Sequence, residues 1–182
     1  MAAGNARKGA KIGDVLFPRT AYNNDGGKID KDGKHLPEGN PINGHQQLHE
    51  MAQFIDLPGI VVHFEDIFSG ATVVDNPSLF DRPESISRKV HGYDMECYGF
   101  YDSMQQKGVP FFFAKGVSDI GAEKTDDYQH VATSNASKFS LKLIELFLKT
   151  KNITYRKTLF PSSPGSNPVP ISLTHLLICC IS

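Results

Sequence analysis

An α/β fold with a layered sheet is what the order of segments predicts, because short β-branched and aromatic runs alternate with stretches of helical period. Two stretches carry most of that inference. VPFFFAKGV at 109–117 is almost unbroken in apolar character, the pattern of a strand covered on both faces. Residues 127–149 set Val131, Ala132, Ala136, Phe139, Leu143, Leu146 and Phe147 at helical spacing with lysines between or after them, the pattern of a long helix laid on the sheet.

The other elements follow in order. IGDVLF at 12–17 reads as a strand closed by Pro18. The Gly-, Asn-, Asp- and Pro-rich text from Asn23 to Gly44 has no apolar period and predicts a long surface excursion. Leu48, Met51, Ala52 and Ile55 recur at i, i+3, i+4 and i+7, which predicts a helix from Gly44 to Ile55 with Asn43 as N-cap and Leu57-Pro58 as its stop. GIVVHF (59–64) and GATVV (70–74) read as strands either side of a turn at Ser69-Gly70, and 75–88 as a polar crossing with some helix late. A strand at 90–95 then leads into a helix from Glu96 to Lys107 that sets Cys97, Phe100, Tyr101 and Met104 on one face. Beyond Tyr155 proline and serine interrupt every period, so 1–152 is expected to fold and 153–182 to form an irregular tail.

Composition excludes several classes of function. Lys plus Arg total 19 against 20 Asp plus Glu, and no basic run occurs, so neither nucleic acid nor an anionic membrane is expected as partner. The apolar stretch LLICCI is far shorter than the ~20 residues that span a bilayer. Cys97 stands alone and Cys179 adjoins Cys180, a poor layout for disulfides with no C-x-x-C spacing, which points to a reducing, cytoplasmic setting.

The chemistry is expected at Glu96 and Asp119, two acids that follow apolar strands and flank a helix. In layered α/β sheets ligands bind outside the carboxyl ends of strands, so the two are expected to converge there. The text around them, YDMECYGFYDSMQQKGVPFFFAKGVSD (93–119), resembles the purine nucleoside phosphorylase and methylthioadenosine/S-adenosylhomocysteine nucleosidase superfamily. AAG at 2–4 with KIGDV at 11–15 is similar to that family's glycine turn and G-D-V strand. VHFEDIFSGATVV (62–74) is similar to its base-site segment, and HVATSNASKF (130–139) to its closing helix.

That resemblance implies a three-layer αβα, phosphorylase/hydrolase-like fold with a central mixed sheet. It also implies cleavage of the N-glycosidic bond of a purine nucleoside or thionucleoside. Such cleavage builds positive charge on the ribose while electrons collect on the purine, which needs a proton. By resemblance Glu96 holds the ribose hydroxyls, Asp119 serves the base N7 as general acid, Met95 lies under the sugar, and Val73 and Val74 flank the base. Ser118 and Gly4 complete the implied substrate contacts. A general acid at Asp119 calls for a raised pKa, and the buried strand beside it supplies desolvation of that sign. The partner implied is a small-molecule nucleoside, with a homo-oligomer as a further implication. No metal or organic cofactor is expected, and phosphate is the co-substrate if the reaction is phosphorolysis. Family members carry a β/α half before the glycine turn at which this chain begins, so an N-terminally truncated member is expected. A nucleoside-binding module without turnover, or a truncated product without function, is the alternative.

Other constellations are weaker. His45 and His49 lie one helical turn apart with His63 or Glu65 as a conceivable third ligand, but HQQLH lacks the glutamate of H-E-x-x-H and a solvated helix face explains it. Walker A and dinucleotide fingerprints are absent. Cys97 is expected to pack as an apolar residue, Arg7 to be a surface cation, and Phe111 to Phe113 to fill both faces of the sheet.

Overall fold

The computed structural model describes residues 2–33, 35–37, 40–72, 76, 78–121, 127–150 and 177–179. In chain order the strands are β1 (Ala2–Gly4), β2 (Val15–Leu16), β3 (Thr20–Asn23), β4 (Gly27–Ile29), β5 (His35–Pro37), β6 (Ile42–Asn43), β7 (Val62–His63), β8 (Asp66–Ser69), β9 (Val90–Asp94), β10 (Phe111–Phe113), β11 (Lys115–Asp119) and β12 (Leu177–Cys179). The helices are α1 (Gln46–Ala52), α2 (Asp81–Ile86), α3 (Cys97–Lys107) and α4 (Gln129–Thr150).

Eight strands make one mixed sheet in the order β6-β3-β8-β9-β1-β11-β2-β7. Its two ends are joined through the chain. β2 and β3 are halves of one extended run broken at Pro18-Arg19, and β7 and β8 are halves of another broken at Phe64-Glu65. The two runs stay side by side through their breaks, with Phe17 N–H donating to His63 C=O at 2.8 Å and Arg19 N–H to Glu65 C=O at 3.0 Å. The sheet therefore curls round on itself. The Tyr101 hydroxyl donates to Pro18 C=O at 2.5 Å, which satisfies a carbonyl the break would otherwise strand.

Helices cover both faces. α4 buries Ala136, Phe139, Leu143 and Phe147 against Val15, Phe17, Phe112 and the α1 residues Leu48 and Ala52. Each large apolar side chain so buried contributes on the order of 1.5–3 kcal/mol. Opposite, α3 buries Cys97, Tyr101 and Met104 against Ala2, Leu16, Ile67, Phe111, Phe113 and Val117. α3 closes on Gly108, whose φ of 63° is the left-handed form that favours glycine at a helix end. Gly116 lets α4 lie directly on the sheet, since a Cβ there would sit 2.1 Å from the Ala132 carbonyl oxygen.

The class and layering predicted from the text are those found, and α3, α4 and β9 lie within a residue or two of expectation. Differences fall where partners decide. The excursion after Asn23 carries the hairpin β4–β5 and the strand β6, and it is preceded by β3, whose polar text TAYN conceals a strand inside the sheet. The run at 109–117 is two strands: β10 pairs with β12, while β11 pairs with β1 and β2. β8 lies at 66–69, before the Ser69-Gly70 turn, where the text suggested a strand after it. Asn43 does not cap α1; it belongs to β6 and accepts the Thr20 hydroxyl at 3.1 Å.

His49 is not on a solvated face. It is buried on α1 with its ring 5.0 Å from Phe17 and 5.8 Å from Phe64. Burial lowers its pKa, so the unfolded chain takes up the proton at a higher pH than the folded one. The stability held by neutral His49 is complete above the ordinary value of ~6.5 and is lost as pH falls through the folded value. Urea midpoints should therefore drop on acidification below about pH 6.5, and His49→Leu should flatten that slope. An unchanged slope in the variant would assign the acid sensitivity to other groups.

Candidate active site

Asp94 ends β9 and organises the start of α3. Its side chain accepts the N–H of Glu96 at 3.1 Å and of Cys97 at 3.1 and 3.3 Å, and the Ser69 hydroxyl donates to it at 2.6 Å. Ser69 in turn accepts the Tyr98 N–H at 3.0 Å. Three orphan donors of the helix N-terminus are thereby satisfied by two side chains from adjacent parallel strands.

Lys115 reaches into this corner from β11. Its side chain is 1% exposed, with Nζ 3.3 Å from Asp94 Oδ2 and in direct contact with Glu96 Oε2. Burial pushes the Asp94 carboxyl up, and Lys115 and Ser69 pull against it. Burial likewise opposes charge on Lys115, but Asp94 and Glu96 together hold its pKa above the usual lysine value. Partial burial works against ionised Glu96, and the contact with Lys115 overcomes it, keeping that carboxyl below its usual range. Glu96, with 43% of its side chain exposed, is thus a fixed carboxylate presented to solvent from a buried cation.

Asp119 closes β11. Its Oδ1 accepts the Gly121 N–H at 2.9 Å and its Oδ2 the Ser118 hydroxyl at 3.2 Å. The pairing of β11 with β1 passes from Val117 opposite Ala2 to Asp119 opposite Ala3, so Ser118 is an extra residue, and such bulges redirect neighbouring side chains.

The two acids do not meet at a shared carboxyl mouth as expected. β9 runs antiparallel to β1 and β1 parallel to β11, so β9 and β11 run in opposite directions. Lys115 is what brings Glu96 alongside β11, four residues before Asp119, or roughly 13 Å at ~3.3 Å per residue. Met95 and Ile120, each next to one acid, are 46% and 44% exposed. Ser118 is buried. Gly4 is a close-packing position, since a Cβ there would lie 2.7 Å from Val117 Cγ1. Val73 and Val74 lie outside the described residues.

Periodicity and motif spacing do not point to Asp94, Ser69 or Lys115. The signal was a lone lysine inside VPFFFAKGV, a charge that a buried strand tolerates only when paired. Cys97 and Phe111 to Phe113 are buried as expected, with Phe112 facing α4 and its neighbours facing α3. Arg7 pairs with Asp81 at 2.7 Å and Glu84 at 3.5 Å on α2. Two cavities among the described residues lie elsewhere, one of about 830 Å³ between Arg19, Tyr22, Glu65 and Arg88, the other of about 330 Å³ beside His49. No described helix is long and apolar enough to cross a membrane.

The mixed sheet and its helices make an α/β fold shared with solved methylthioadenosine/S-adenosylhomocysteine nucleosidases. The Neisseria meningitidis nucleosidase, solved with methylthio-immucillin-A, superposes with a TM-score of 0.66 at 23% identity over 79% of this chain and 66% of that one. The futalosine hydrolase of Helicobacter pylori superposes at 0.63 and 19% identity, over 80% and 65%. In sequence, ATP nucleosidase Cap17 of Escherichia coli is 35% identical over 79 residues, 43% of this chain and 16% of the relative. The chain thus matches about two thirds of the length of the solved nucleosidases and a sixth of the curated relative. No family model matches.

Proposed function

We propose that this chain carries the glycosidic-cleavage site of a purine nucleosidase or nucleoside phosphorylase. The observation that carries the reading is Glu96, an exposed carboxylate fixed by buried Lys115, on the strand that ends in Asp119. A ribose held at Glu96 by its hydroxyls, resting on Met95, directs its base along β11 towards Asp119. As the C1′–N9 bond breaks, its electron pair passes to the purine and Asp119 delivers a proton to N7, while an oxygen of phosphate, or of water that gives up a proton to solvent, bonds to C1′, and Asp119 regains its proton from solvent. Ser118, Gly4, Val73 and Val74 belong to the same proposed pocket. No metal or organic cofactor takes part, phosphate enters only as co-substrate, and a homo-oligomer in the cytoplasm is the proposed working form.

The relatives favour an adenine nucleoside: one is named an ATP nucleosidase and another a methylthioadenosine/S-adenosylhomocysteine nucleosidase. Incubation with methylthioadenosine, adenosine, inosine and ATP, with and without phosphate, should release free base. Release that requires phosphate identifies a phosphorylase, and release without it a hydrolase. Binding without release is the second reading. Neither binding nor release of any of the four would remove the proposal.

A further inference from the structure

We propose that His63, Glu65 and His91 form a binding site for a divalent transition-metal ion of the zinc class, at the seam where the curled sheet closes. One ligand atom from each lies within 4.8 Å of the other two. Tetrahedral zinc with bonds of ~2.0–2.1 Å would draw these atoms inward by about 1–1.5 Å, a movement within the reach of side-chain torsions.

The cluster has three features of a built site. The first is the position of His91. β8 pairs with β9 from Asp66 opposite Val90 to Ile67 opposite Gly92, so His91 is the extra residue of a bulge, turned out of the ladder. Its ring stacks 5.3 Å from that of His63, which comes from the edge strand β7. The second is the state of the two rings. Asp14 Oδ2 lies 2.8 Å from His63 Nε2 and is itself held by the Lys11 N–H at 2.9 Å. The Lys89 carbonyl lies 3.0 Å from His91 Nδ1. Both partners can only accept, so each neutral ring keeps its proton on the engaged nitrogen and a lone pair on the other. Histidines that ligate metals recurrently hand their second nitrogen to a carboxylate or carbonyl in this way. The third is Glu65, whose Oε2 is shielded from water and makes no hydrogen bond; it lies 3.8 Å from His91 Nδ1, beyond hydrogen-bond reach of a nitrogen already engaged with the Lys89 carbonyl. A buried carboxylate oxygen without a donor is costly, and a cation satisfies it.

The cavity of about 830 Å³ is lined by Glu65 and His91 and gives the ion an entry path and room for a water as fourth ligand. Because the three residues sit on β7, β9 and the break before β8, the ion would fasten the seam, and its binding free energy would add to the stability of the fold.

The full chain, freed of metal by chelation, should bind one Zn²⁺ in calorimetric titration, melt at a higher temperature once loaded, and give the intense visible absorption of tetrahedral Co²⁺ when cobalt replaces zinc. Glu65→Gln, nearly isosteric and with the parent side chain 43% exposed, should fold and weaken Zn²⁺ binding at least tenfold, and His91→Ala should do the same. Zn²⁺ binding of parental strength in both variants, or loss of binding only on changing His45, His49 or the cysteines, overturns the proposal.

Discussion

Asp119→Asn is expected to lower base release by roughly 10²–10⁴-fold, the range that one positioned general acid supplies. Its melting temperature should stay close to that of the parent. The side chain is half-buried at a strand end, and its two partners are the Gly121 N–H and the Ser118 hydroxyl. An asparagine oxygen can still accept from Gly121, so the turn that follows β11 survives. What asparagine cannot do is deliver a proton to the purine. Steady-state rates with a purine nucleoside, measured beside a thermal melt, separate the two effects. Full turnover in this variant would remove Asp119 from the reaction, and a collapsed melt would make it a residue of the fold.

Lys115→Met is expected to be more damaging to the fold than to any one step. Methionine fills much of the same volume but leaves Asp94 as a buried carboxylate with its cation gone, and breaking a buried pair in this way costs about 3–5 kcal/mol. That is a large share of the roughly 5–15 kcal/mol that hold a domain of ordinary stability. The start of α3 should loosen, because Asp94 holds the N–H groups of Glu96 and Cys97. Glu96 should lose its anchor with it. The double variant Lys115→Met with Asp94→Asn should recover part of the loss, since no buried charge then remains uncompensated. Urea unfolding of the two single variants and the double gives the coupling directly. Additive losses would mean that the two side chains do not depend on each other.

The two experiments bear on different links between structure and function. Asp119 stands at a bulge on the rim, where a change leaves the core undisturbed. Lys115 stands inside the core, where the same salt bridge that stabilises the strand also aims Glu96. A fixed, solvent-facing carboxylate at Glu96 is therefore a by-product of how the sheet solves the problem of a buried lysine.

The class of fold, the long closing helix and the helix after Glu96 were legible in the amino-acid text, because periodicity and apolar content are local properties. Tertiary structure alone decided how those pieces combine. β3 could not be read because TAYN owes its strand state to neighbours on both sides, β6 and β8. The break at Ala114 could not be read because it reflects a change of partners within a uniformly apolar run. The relation between Glu96 and Asp119 depends on strand direction, which no single segment encodes: β9 and β11 run oppositely, and a lysine mid-strand draws Glu96 alongside β11 four residues before Asp119. His91 and His63 come together for the same reason, through a bulge and a curled sheet. Sequence determined which groups this protein has for chemistry, whereas pairing, register and direction, set by contacts between residues far apart in the chain, determined which of them meet.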